Sequence, residues 1–97
     1  MARYSYTRRF GRDYKKLTRE QRDRFDPALR RFLLELDDRE EFSRGLRVKG
    51  VQRASGIFEM SWAPDGRMTW SYDRPDADGT LHGILRRVGT HAVFDNP

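Results

Sequence analysis

The stretch Ile57-Phe58-Glu59-Met60-Ser61-Trp62-Ala63-Pro64-Asp65-Gly66-Arg67-Met68-Thr69-Trp70-Ser71-Tyr72 decides how this chain folds. Phe58, Met60 and Trp62 alternate with Ile57, Glu59 and Ser61, and Met68, Trp70 and Tyr72 alternate with Thr69 and Ser71. A strand turns successive side chains to opposite faces, so a period of two in each half predicts two strands. Between them, residues 63–66 read Ala-Pro-Asp-Gly, a strong turn signal. The stretch is therefore a hairpin with one large apolar face, and that face needs a cover.

The cover lies upstream. Thr7 is placed to cap a short helix in which Phe10, Tyr14 and Leu17 recur at i, i+4 and i+7, with Arg8, Arg9, Arg12, Lys15 and Lys16 on its other sides. Thr18 followed three residues later by Gln21 is a capping-box signature, so a second helix starts there. Its apolar stripe is Phe25, Leu29, Phe32, Leu33 and Leu36. Pro27 lacks the N–H that would bond back four residues, so the helix either bends or restarts with Asp26 as cap; continuity with a bend is the expectation. Tyr4 and Tyr6 alternating around Ser5 predict an opening strand ahead of both helices.

Downstream of the helices the period falls to two again. Leu46, Val48 and Gly50 are expected on one face of a strand with Arg47, Lys49 and Val51 on the other, and residues 53–56 turn into the hairpin. Residues 73–79, rich in Asp and Pro, form a loop, and residues 80–88 the last strand, with Ile84, Leu85 and Val88 at its buried end. The expected architecture is a single α+β domain over residues 1–97, β-α-α-β-β-β(-β), with two N-terminal helices packed on an antiparallel sheet. Consecutive strands joined by short connections pair antiparallel, because a parallel crossover needs far more chain.

Composition narrows the function. The 97 residues suffice for one modest core, since 36% are hydrophobic and an equal 36% are charged. Without cysteine there are no disulfides, thiolate metal sites or thiol nucleophiles. No run approaches the ~18 apolar residues of a membrane span, and the Met-Ala-Arg-Tyr-Ser start has no apolar signal core, so a cytoplasmic protein without membrane contact is expected. The net charge of +5 is uneven. Residues 1–31 carry eleven basic and four acidic side chains, whereas residues 35–41 carry five acids and one arginine. That asymmetry suits a polyanion on one side and another partner elsewhere.

The ending Arg86-Arg87-Val88-Gly89-Thr90-His91-Ala92-Val93-Phe94 holds the candidate chemistry. Gly89 reads as a backbone position closed to residues with a Cβ, and His91 is expected just past a strand end. An unperturbed histidine titrates near ~6.5, so beside basic residues it can serve as acid or base on a phosphodiester; by default an isolated one is a partly exposed surface residue. His82 is assigned no role.

Taken together, the "F-G-R-D-Y-K-K-L" opening, the "G-L-R-V-K-G" entry, the "I-F-E-M-S-W" strand and the "R-R-V-G-T-H-A-V-F" ending resemble the RelE/ParE superfamily of bacterial type II toxins, closest to its YafQ-like branch. The resemblance implies a ribosome-dependent endoribonuclease that inhibits translation by cleaving messenger RNA with metal-free acid–base chemistry, needs no cofactor, and is held inactive by a cognate antitoxin. It implies a catalytic role for His91, Asp65 and Arg67; RNA or phosphate binding by Arg47, Lys49, Arg53, Arg86 and Arg87; and base stacking by Phe94 and Trp62. Asp65 reads equally well as a turn former, and Glu59 as a structural partner of an arginine. Two alternatives remain open: a ParE-like inhibitor that binds DNA gyrase, and a catalytically degenerate basic RNA-binding module.

Overall fold

The fold was determined as a computed structural model, which describes residues 3–38, 42, 44–52, 54–75 and 77–97, the side chains of residues 37 and 38 excepted. Its elements run β1 (Arg3–Tyr6), α1 (Arg8–Lys16), α2 (Arg19–Asp38), β2 (Lys49–Gly50), β3 (Ile57–Ser61), β4 (Arg67–Tyr72) and β5 (His82–Gly89), with short 3-10 turns at Arg44–Leu46 and His91–Asp95. The five strands form one sheet in the order β1-β5-β4-β3-β2.

The hairpin is as its alternation demands. Phe58 faces Trp70 and Met60 faces Met68 across the β3–β4 ladder, so the large side chains share one face. The α2 stripe meets that face: Phe25, Phe32 and Leu36 are buried, Leu29 and Leu33 pack at the edges, and Met60, Met68, Trp70, Leu85 and Val88 close the core from the sheet. Phe32 and Trp70 meet edge-on with ring centres 4.9 Å apart, and Phe58 stacks on Trp70 at the same distance.

Both helix starts follow their capping residues. Thr7 Oγ1 accepts from the Phe10 amide at 3.1 Å and donates to the Arg86 carbonyl at 2.8 Å, tying α1 to β5. Thr18 and Gln21 make the reciprocal pair, with bonds of 3.1 and 2.8 Å. Pro27 lies inside α2, which continues to Asp38. Asp26 does not cap a new helix, because its carboxylate accepts from the Tyr14 hydroxyl at 2.9 Å. That bond holds the Tyr14 phenol above its ordinary pKa.

Two expectations need correction, and one irregularity joins them. The sheet is mixed: β1 pairs parallel with β5, Tyr4 opposite Gly83 and Tyr6 opposite Leu85, with the whole chain between them as the crossover. The strand expected at residues 46–51 shrinks to Lys49–Gly50, since Leu46 turns inward from a 3-10 turn and Arg47 has φ of 49°, outside any strand region. Finally, β4 and β5 slip register between Thr69 and Trp70, which face Arg87 and Leu85. The extra residue is Arg86, and the bulge lets Leu85 and Val88, three apart, both reach the core.

Candidate active site

The β3–β4 turn is held rigid by its own residues. Trp62 donates its amide to the Gly66 carbonyl at 3.1 Å, and the Gly66 amide closes back on Ala63 at 3.1 Å. The Trp62 ring lies on Gly66 so closely that a Cβ there would sit 2.6 Å from two ring carbons, which leaves glycine as the only residue that fits. The same ring meets Phe25 edge-on at 5.6 Å, so Trp62 is half-buried packing as well as surface. Arg67 folds back over the turn, its Nη1 donating to the carbonyls of Gly66 (2.8 Å), Ala63 and Pro64 (both 3.2 Å). Its Nε and Nη2 have no hydrogen-bond partner among the described residues.

Asp65 stands at the tip of this turn with its side chain 67% exposed. Across from it the chain leaves β5 at Gly89, and Thr90 caps the 3-10 turn His91–Asp95 by accepting the Ala92 amide at 3.3 Å. Gly89 has no left-handed backbone; its role is close approach, since a Cβ there would lie 3.2 Å from a methyl of buried Val93. Val93 thus anchors the turn and His91 projects from it, 54% exposed. His91 Nδ1 hydrogen-bonds Asp65 Oδ1. The Phe94 ring meets the imidazole edge-on at 5.6 Å. The bond from His91 holds the Asp65 carboxyl below its ordinary pKa, with the imidazole and Arg67 charges adding in the same sense. An ionised Asp65 favours the proton on Nδ1, which leaves Nε2 facing solvent.

The remaining candidates divide. Arg47 is exposed and lines, with Arg67 and Trp62, a cleft of about 640 Å³ between α2 and the β3–β4 turn. Lys49 lies opposite Glu59 in the ladder and its Nζ is 3.8 Å from the carboxylate, so Glu59, otherwise buried, has a basic partner. Arg86 and Arg87 are engaged within the fold. Arg87 grips Asp13 through Nε (2.6 Å) and Nη2 (3.2 Å) and the Asn96 carbonyl through Nη1 (3.0 Å), while Arg86 Nε donates to the Pro97 carbonyl at 3.0 Å. Arg53 lies outside the described residues.

Asp13 is the residue that reading the sequence missed. It sits on the polar side of α1, 74 residues from its partner, and besides Arg87 it accepts the Val88 amide at 3.2 Å, filling a place on the edge of β5 that β1 has left. No local signal marks such a contact. With both side chains largely buried, Asp13→Ala should cost about 1.5–3 kcal/mol, the range for hydrogen bonds to charged groups, measured by urea denaturation. A loss under 0.5 kcal/mol would show the clamp to be idle.

No family model matches the chain, and none of the curated proteins does. Solved structures do match. A copper-bound mutant toxin from Helicobacter pylori superposes with a TM-score of 0.73 at 22% identity, covering 95% of this chain and 97% of that one. The E. coli DinJ–YafQ complex gives 0.70 at 18% identity over 96% and 97%. The chain has the YafQ fold. YafQ from E. coli strain BL21(DE3) agrees at a TM-score of 0.65, 19% identity and coverage of 96% and 97%. The likeness spans both chains almost end to end, so the parallel β1–β5 pairing and the helical pair belong to the shared YafQ architecture.

Proposed function

We propose that this protein is the toxin of a type II toxin–antitoxin system, an endoribonuclease that cleaves messenger RNA on the ribosome. The observation that carries the proposal is the His91–Asp65 pair: an imidazole oriented through one nitrogen, open at the other, at an exposed rim beside an arginine. The fold shared with toxins and the resemblance of the ending support the same reading. Cleavage without a metal needs the ribose 2′-hydroxyl to attack the adjacent phosphorus, a base to take its proton, an acid to give a proton to the leaving 5′-oxygen, and cations for the phosphorane. His91 Nε2 takes the first proton in its neutral form or delivers the second in its charged form. Asp65 fixes the ring, and Arg67, whose charge acts on Asp65, supplies a cation and unused donors for the developing negative charge. Phe94, edge-on to the imidazole, offers a base its remaining ring surface.

The test is a translation extract. Message fragments ending in 2′,3′-cyclic phosphate and 5′-hydroxyl support the nuclease; intact message with poisoned gyrase replaces it with the ParE-like inhibitor. Intact message with active gyrase leaves the degenerate module. Among the described residues no helix is long and apolar enough to cross a membrane. YafQ was crystallised with DinJ, and here too the partner is an antitoxin, whose acidic segment folds over the basic surface on binding.

The pair also sets a pH dependence. Because Asp65 is held below its ordinary 3.8 by a partner present only in the folded chain, its contribution is in place above that value and is lost as pH falls through the lower folded pKa. Carbon-detected NMR should therefore find Asp65 titrating below 3.8, and His91→Ala should return it toward the ordinary value. No difference between the two proteins would mean that the pair does not form in solution.

A further inference from the structure

Two cavities flank the β3–β4 turn, and both include Trp62, Ala63 and Pro64 in their walls. The smaller, about 340 Å³, has the carboxylates of Glu20 and Asp65 in its lining. The larger, about 640 Å³, has none among the described residues: the charged ones that line it are Arg31 of α2, Arg47 and Arg67. Arg31 and Arg47 are exposed, and their side chains have no ion-pair or hydrogen-bond partner among the described residues. Arg31 and Arg47 thus line one cleft with Arg67, whose charge also acts on Asp65, and like charges gathered there repel one another, a repulsion that an anion relieves. Arg47 reaches the cleft from a left-handed backbone, a conformation that a bulky residue adopts only under local constraint. The volume falls in the usual range of ~300–1,000 Å³ for small-molecule sites, and Pro27 from α2 with Trp62 and Pro64 from the turn give the lining the apolar character a base needs.

His91 lines neither cavity. Its partner Asp65 lines the smaller one, and Trp62, Ala63 and Pro64 are shared by both, so the turn that carries Asp65 lies between the cleft and the imidazole. We propose that the cleft between α2 and the β3–β4 turn is a second phosphate subsite, holding a nucleotide of single-stranded RNA that neighbours the one cleaved. The proposal rests on the nuclease reading and adds Arg31, a residue outside the hairpin and the ending, to the RNA path.

Binding is measured by fluorescence anisotropy with a labelled hexanucleotide bearing 2′-O-methyl at every ribose, which cannot be cleaved. The R31Q/R47Q double variant should bind about tenfold more weakly, as for loss of a charge-assisted contact, and the salt slope should fall by about 0.7 for each phosphate contact removed. The exposed pair K15Q/K16Q on α1 removes equal charge and should stay within twofold of the parent. Equal weakening by both pairs, or none by the first, overturns the subsite. So does a mononucleotide that competes as well as a hexanucleotide, which would mark a free-nucleotide site. Failure of the parent protein to bind also overturns it, and the extract assay separates the two claims: message still cut leaves the nuclease standing, message intact removes both.

Discussion

Replacing His91 with alanine should lower message cleavage by about 10² to 10⁴ while the protein remains folded, because that is the factor a positioned general acid or base supplies. The side chain is more than half exposed, and its contacts are Asp65 and the edge of Phe94. Substitutions at such surface positions usually change stability by no more than about 0.5 kcal/mol. The anchors of the 3-10 turn, Val93 beneath Gly89 and the Thr90 cap, do not depend on the imidazole. Cleavage in extract and the melting temperature, measured on one preparation, check both halves of the expectation. Full activity in H91A would end the nuclease proposal. His91→Gln fills much of the same space without transferring protons near neutrality, so it should be as inactive as alanine. Asp65→Ala, which frees the ring but keeps it, should fall between the two extremes.

The division between what the residue pattern showed and what it hid has a physical origin. The hairpin was legible because alternation and a Pro-Asp-Gly turn are local, and the helices because Thr7, Thr18 and Gln21 satisfy amides within three residues of themselves. Pairing between β1 and β5 depends on residues about 80 apart, and nothing in Arg3–Tyr6 names its neighbour or its direction. The bulge at Arg86 was hidden because it exists only in the pairing of two strands: local alternation puts Leu85 and Val88 on opposite faces, and only the slipped ladder unites them. The site divides along the same line. His91 and Asp65, 26 residues apart, were named separately, and the fold brings them into contact. Arg86 and Arg87 look like phosphate ligands in a one-dimensional view, yet their acceptors, Asp13 and the carbonyls of Asn96 and Pro97, come from α1 and the far end of the chain. Arg31 reads as one more solvated charge on α2 until the Arg47 turn is seen against it.

The largest effect on stability is expected at Phe32. Its side chain has no solvent exposure and contacts Trp70 edge-on and Phe42 face-to-face, the latter with ring centres 5.4 Å apart. Truncation to alanine removes the apolar area and leaves a void that a tightly packed interior fills only in part, a loss of about 3–5 kcal/mol. A domain of this size has a total stability of roughly 5–15 kcal/mol, so at the low end of that range the variant should keep about two-fifths of its stability or none at all. At about 4–8 °C per kcal/mol the melting temperature should drop by roughly 12–40 °C. Leu34, two residues along the same helix and 75% exposed, is the internal control, and L34A should melt within a few degrees of the parent. Soluble yield separates this loss from the catalytic one: F32A should lose activity in proportion to folded protein, whereas H91A should lose it at full yield. Similar melting of F32A and L34A would mean that the α2 stripe does not pack on the hairpin, and with it would go the support that holds the β3–β4 turn beneath His91.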